Sequence, residues 1–198
     1  ALANGQSQWI TGEVARHDVQ IQRAESCAVL TGIGTALADN PRLTVRDFPT
    51  LRPPLRVLLD SHLRLPAGSH LLDGSAPTLI YTLSDRPAPA GAAEICRLQA
   101  EAQGRLSLNA VLADLAARGI GELMLEAGAT LGSAFLAQDL VDEIVCYQAP
   151  KLLGGTQSPT LFRLPETPAA LSREPDWHTV DIEQLGDDIK WVLQRRRG

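Results

Sequence analysis

The chain has 198 residues, 44% of them hydrophobic and 21% charged, an ordinary globular composition with enough length to bury one good core. A net charge of -5 and a pI near 5.3 exclude an extended nucleic-acid or anionic-membrane surface while leaving room for a local anion pocket. Cys27, Cys96 and Cys146 are odd in number and lack Cys-x-x-Cys spacing, which excludes a disulfide framework and a zinc site; no apolar run approaches bilayer length and no leader pattern opens the chain, so a cytoplasmic protein is expected.

Trp9-Ile10-Thr11-Gly12-Glu13 reads as an apolar anchor followed by a helix start, with Thr11 as cap and Glu13 favourable in the first turn. The helix is predicted to run to about Ala24, with Ala15 and Val19 on one face and Arg16, Gln20 and Arg23 on another. That basic face reads by charge alone as solvated. Cys27 to Leu30 is a continuous apolar run suited to a parallel strand, and it delivers the chain into Thr31-Gly32-Ile33-Gly34-Thr35, the end where ligands gather in such sheets. A short helical turn from Thr35 to Asn40 is stopped by Pro41, and Arg42-Leu43-Thr44-Val45-Arg46 completes a stretch crowded with ligand-capable groups.

Leu55 to Leu59 is the next strand, ending in Asp60-Ser61-His62-Leu63-Arg64. Ser61 and Arg64 suit an adenosine phosphate, and equally suit a turn with a solvated cation. Thr78 to Tyr81 and Ile95 to Leu98 are further strands around a flexible loop from Pro87 to Ala93. Ser107 caps a helix whose Leu108, Val111, Leu112 and Leu115 share one face and which Gly119 ends.

Leu123 to Leu125 reads as the central strand, leading into Glu126-Ala-Gly128-Ala-Thr130-Leu-Gly132 and a helix to about Asp139. A helix start offers unpaired N–H groups to a dinucleotide pyrophosphate, although two glycines in such a turn more often serve close packing. Ile144 to Tyr147 precedes the loop from Gln148 to Thr156. Trp177 to Ile182 and Ile189 to Leu193 alternate around Leu185-Gly186-Asp187-Asp188 as a terminal hairpin. Strands alternating with helices, closed by that hairpin, predict one α/β domain over residues 1–198 with a mostly parallel mixed sheet.

Trp9-Ile10-Thr11, the run from Thr31 to Arg46, Glu126-Ala-Gly-Ala-Thr-Leu131, Leu140-Val-Asp-Glu143 and Ala149 to Gly155 resemble, in order and spacing, the reductase domain of the bifunctional riboflavin-biosynthesis deaminase-reductase. The similarity covers nearly the whole chain. It implies a dihydrofolate-reductase-like fold, a three-layer α/β/α sandwich. It further implies NADPH as hydride donor, 5-amino-6-(5-phosphoribosylamino)uracil as the substrate whose ribosyl group becomes ribityl, and a homodimer. Carried over by motif, Ser7, Arg23, Leu43, Arg46 and Glu126 contact substrate. Trp9, Thr35, Asp39, Ser61, Gly128, Ala129, Thr130, Leu131, Gly132, Ser133 and Ala134 contact NADPH. Glu126 and Asp39 are the candidates for orientation or proton handling, and Arg23 and Arg46 for gripping phosphate. In the family a strand with a lysine and an Asp-Gly-Arg turn comes earlier, and a zinc deaminase is fused to the reductase. Neither pattern occurs in this sequence, so no metal, zinc binding or deamination is expected of this chain. Two alternatives stand beside this reading: a reductase of the same fold acting on another pterin or pyrimidine, and a non-catalytic nucleotide-binding domain.

Overall fold

The computed structural model describes residues 9–101, 104–153, 160–162 and 177–196. The chain divides into two compact units, Gln20–Gly128 and the pair of segments Ala1–Val19 with Ala129–Gly198. In the first, five parallel strands lie in the order β4-β3-β2-β1-β5, with β1 at Ala28–Gly32, β2 at Leu55–Leu59, β3 at Thr78–Thr82, β4 at Glu94–Arg97 and β5 at Leu123–Leu125. The apolar runs of β1, β2 and β3 are almost wholly buried, as strands covered on both faces require. Val29, Leu58 and Ile80 pack with Ala36, Leu43, Leu65, Leu71 and Leu72 into one cluster. Among the described residues β5, read from its sequence as central, is instead the edge beside β1, paired over Ala28 to Leu30. Three apolar residues do not distinguish an edge from a centre; pairing does.

Helix α1 spans Glu13–Glu25. Its entry is one residue later than expected: the Gly12 carbonyl accepts from the Arg16 N–H, so Gly12 and not Thr11 holds the cap position. The face read as solvated is not, since Gln20 is 4% and Arg23 8% exposed. Helix α2, Ile33–Asp39, starts directly at the end of β1 and takes in Gly34, two residues before the helical turn expected from Thr35. Asn40 closes it in the left-handed region at φ 43, ahead of Pro41. Helix α3, Leu108–Ala117, is capped by the Ser107 hydroxyl, which accepts from Ala110 N–H at 3.1 Å. It ends with Gly119 at φ 82 donating to Ala116 O while Ile120 donates to Leu115 O, the paired bonds of a Schellman close.

In the second unit, helix α4 covers Ala129–Ala137 and an antiparallel sheet runs β6-β8-β7, with β6 at Glu143–Gln148, β7 at Trp177–Leu185 and β8 at Asp188–Arg195. The hairpin turns at Gly186-Asp187, with Gly186 at φ 67 where a type II′ turn needs glycine. The parallel and antiparallel strands thus lie in two sheets. β8 turns polar residues inward: Asp188 accepts from Gly12 N–H at 2.6 Å, and Lys190 Nζ bonds the Asp18 carboxylate, which also accepts from the Tyr147 hydroxyl. Ile182, Ile189 and Trp191 face outward at 64%, 44% and 40% exposure. Among the described residues no helix is long and apolar enough to cross a membrane.

Candidate active site

Parallel strands all point their carboxyl ends to one edge, and the register Gly32↔Leu59 and Leu30↔Leu125 brings three of those ends side by side. At about 4.8 Å per strand, the turn after β2, the start of α2 and the turn after β5 fall within about 10 Å of one another. This edge is where open α/β sheets hold ligands. It carries Ser61, Thr35 and Glu126 to Gly128.

Glu126 is fixed at every polar atom of its backbone. Its N–H donates to Leu30 O at 2.9 Å, extending the β1 ladder past the end of β5, and its carbonyl accepts from the Thr31 hydroxyl at 2.7 Å. Arg23 then grips the carboxylate with both prongs, Nε to Oε1 at 2.5 Å and Nη2 to Oε2 at 2.7 Å. Its Nη1 donates to Thr44 O at 3.1 Å. Nε and Nη2 of the guanidinium are thus paired with a carboxylate, and the two side chains keep 10% and 23% of their surface.

Leu43 stands at φ 50 with its side chain in the core, 2% exposed. Arg46 is exposed, its backbone N–H held by Gln20 Oε1 at 3.2 Å. Thr35 accepts from Gly128 N–H at 3.2 Å, tying the turn after β5 to α2. Asp39, exposed at the last position of α2, lies four residues from Thr35 and so on the same helix face, about 6 Å along the axis.

Ser61 opens a turn whose form is set by Asp60, a residue with no exposed surface whose carboxylate accepts from Arg64 N–H at 2.6 Å and Leu65 N–H at 2.9 Å. The Ser61 carbonyl accepts from Leu83 N–H and the Thr82 hydroxyl, both at 3.2 Å. Arg64 keeps 52% of its side-chain surface.

In the other unit, Gly128's successors Ala129, Thr130, Leu131, Gly132, Ser133 and Ala134 form the first two turns of α4, with Thr130 exposed and Ser133 4% exposed. Trp9 is 62% exposed, its ring under the Arg16 guanidinium at 4.5 Å and its carbonyl accepting from Lys151 Nζ at 2.8 Å. Ser7 lies outside the described residues.

Neither Gly128 nor Gly132 is required by the chain itself. Both have ordinary φ, and an added Cβ would meet only Thr35 Oγ1 at 3.7 Å or the Phe162 ring at 3.8 Å. Each position therefore has room for a methyl group. Among the described residues no group of three His, Cys, Asp or Glu is placed to hold a metal ion.

Sequence reasoning missed Thr31, Thr44 and Asp60, and also Arg56, a fully buried cation at the second position of β2. Asp60, at a strand end before a tight turn, carried the one readable signal, since Asp side chains there bond N–H groups further along.

The model of the RibD C-terminal domain matches residues 1–191. The riboflavin biosynthesis protein RibD of Haemophilus influenzae is 37% identical, over 96% of this chain and 53% of that protein. A Buchnera aphidicola protein named 5-amino-6-(5-phosphoribosylamino)uracil reductase is 31% identical, over 99% of this chain and 100% of that protein. The solved structure of Acinetobacter baumannii RibD matches with a TM-score of 0.82 at 34% identity, over 100% of this chain and 54% of that one. The chain thus spans about half the length of the RibD relatives. With its mostly parallel sheet, its antiparallel hairpin and these matches along nearly its whole length, the chain belongs to the RibD C-terminal domain family and has the dihydrofolate-reductase-like fold.

Proposed function

We propose that this chain is an NADPH-dependent reductase that converts the ribosyl group of 5-amino-6-(5-phosphoribosylamino)uracil to ribityl, in riboflavin biosynthesis, with residues 1–198 as one reductase domain. The observation that carries the reading is the carboxyl edge of the parallel sheet, where Glu126 is locked by Arg23 and Thr31 between a glycine turn and an exposed arginine loop. A relative named for this activity is matched over 100% of its length. NADPH when bound would supply the hydride. Trp9, Thr35, Asp39, Ser61 and residues 128–134 are proposed to hold it, with Ser61 and Arg64 favouring the adenosine 2′-phosphate. Ser7, Arg23, Leu43, Arg46 and Glu126 are proposed to hold the substrate, Arg23 and Arg46 at its phosphate and Glu126 through lone pairs that Arg23 leaves open. The carboxylate so held orients the substrate. Asp39 is the proposed proton-handling group, and its exposed position supports access to water.

Two further parts of the proposal are a homodimer and, in a longer form of the protein, a fused zinc deaminase. The outward Ile182, Ile189 and Trp191 support the first, since a second copy would cover apolar surface that the unit itself leaves in water. The roughly half coverage of the RibD relatives supports the second.

The test is NADPH oxidation followed optically with the phosphoribosylaminouracil supplied, beside fluorescence titrations with NADPH and NADH. Substrate-dependent oxidation with tighter NADPH binding is expected. Oxidation only with another pterin or pyrimidine would point to a different substrate, and binding without turnover to a non-catalytic domain.

A further inference from the structure

The turn after β2 is strained, and the group that holds it is a buried charge. Asp60 has no exposed surface; its N–H donates to Tyr81 O at 3.0 Å and its carbonyl accepts from Leu63 N–H at 3.2 Å. One carboxylate oxygen, Oδ2, accepts from the N–H groups of Arg64 and Leu65 at 2.6 and 2.9 Å. Between these bonds Leu63 stands at φ 50, a left-handed conformation that a bulky side chain keeps only where its surroundings impose it. Leu63 and the buried Leu65 pack on the hydrophobic cluster beneath, so the strained turn is also held from below. The other carboxylate oxygen, Oδ1, is buried and accepts no hydrogen bond among the described residues. The cation facing it is Arg64, whose Nε lies 4.0 Å away while 52% of its side-chain surface stays in water.

We propose that Asp60 is a positioning residue for the cofactor's phosphate selectivity: from beneath the turn it orients the Arg64 guanidinium, whose outer donors then meet a 2′-phosphate on an adenosine ribose. The proposal rests on the NADPH reading above and adds to it a residue that itself touches no cofactor atom. Arg64 is referred to one buried group at two points, its backbone N–H at Oδ2 and its Nε opposite Oδ1. A guanidinium is planar, so orienting Nε leaves the Nη donors as a flat fork suited to two oxygens of a phosphate monoester. The same turn carries Ser61, whose carbonyl is tied to the end of β3 by Leu83 N–H and the Thr82 hydroxyl, both at 3.2 Å. A turn with one conformation spares the ordering that a free arginine loses on binding, which gives the strain at Leu63 a use. Closing the chain after β2 would not need the charge, because an asparagine accepts the same two N–H groups. Only the oxygen opposite Arg64 calls for a carboxylate, and a cation in front of it offsets the cost of burying it.

Asp60→Asn in the full chain tests this, since the amide oxygen still accepts both N–H groups while the charge behind Arg64 is gone. Binding is measured by calorimetry with two probes that differ only in the 2′-phosphate, adenosine 2′,5′-bisphosphate and 5′-AMP. Wild type is expected to prefer the bisphosphate by about tenfold or more, and Asp60→Asn to cut that preference about threefold to tenfold through the bisphosphate alone, with 5′-AMP within about twofold. In the Arg64→Ala background Asp60→Asn should add less than about twofold. Arg64→Lys leaves Asp60 in place, keeps the cation and loses the planar fork, so it should cut the preference by a similar factor. If Asp60→Asn fails to fold, Arg64→Lys decides alone, because its site is exposed. A preference that survives either variant overturns the inference. So does an equal loss for both probes, the mark of a turn that has merely come apart. A wild type that prefers the bisphosphate while a variant behaves in one of those ways removes this inference alone; a wild type that binds both probes equally, or neither, removes the proposed NADPH preference and this inference with it.

Discussion

Arg56 sits at the second position of β2 with no exposed surface, and replacing it by Met is the sharpest test of how the parallel unit is held together. Its Nη2 donates to Ala76 O at 2.7 Å; its Nη1 reaches His70 O at 2.9 Å, Asp73 Oδ1 at 3.1 Å and Ser75 Oγ at 3.3 Å. One side chain thus folds the segment from His70 to Ala76 against the strand. Met retains the apolar stem and removes the donors. Ala76 O is then left with only the Thr78 hydroxyl at 3.4 Å, whereas His70 O keeps Asp73 N–H and Asp73 keeps Arg42 and Ser75. Two good bonds to a charged donor are worth about 3 to 6 kcal/mol. Against this stands the relief of no longer burying a cation, a penalty evident in burial pushing the Arg56 pKa down. A net loss of about 2 to 3 kcal/mol remains, since the Asp73 carboxylate left behind is partly hydrated, not sealed in. Urea unfolding followed by circular dichroism would register it as a midpoint lowered by about 1 M or more. Arg56→Lys should lose a similar amount, because one ammonium cannot span both carbonyls. A Met variant within about 0.5 kcal/mol of wild type would refute the reasoning, for it would mean that burial cost and bond gain cancel.

Asp73 is held down to about 2, first by the Ser75 hydroxyl and backbone N–H and then by Arg56. A folded value below the unfolded one of about 3.9 means a stabilisation present above that pH and lost as pH falls toward 2; Asp73→Asn should remove this limb from urea titrations run between about pH 5 and 2. Gly132→Ala should stabilise α4 by about 0.5 to 1 kcal/mol, as its Cβ meets nothing closer than Phe162 at 3.8 Å, yet weaken NADPH about tenfold if backbone approach is the reason for the glycine. A thermal melt beside a fluorescence titration checks both, and a stabler variant with unchanged affinity would detach Gly132 from the cofactor. Arg46→Ala should cost about 2 to 3 kcal/mol in kcat/KM for the substrate at constant NADPH affinity. A flat substrate response would return Arg46 to the status of a surface charge.

Local chemistry is what the sequence determined by itself. The apolar runs of β1 to β3, the Ser107 cap, the Gly119 close and the Gly186 turn each depend on residues within a few positions, so their spacing is enough to read them. Long motifs in register likewise carried the family, because several matches in order leave few alternatives. Pairing across the chain is what only the tertiary structure decided. β5 became an edge because hydrogen bonding to β1, not hydrophobicity, sets strand order. Arg23 and Gln20 read as solvated because helical spacing shows a shared face but not what covers it; Glu126 lies 103 residues away from Arg23 and Arg46 lies 26 from Gln20. Arg56, Thr31 and Asp60 follow the same logic. A polar residue in a strand looks like an interruption until the carbonyls and N–H groups that satisfy it arrive from elsewhere in the chain, and burial becomes affordable only then.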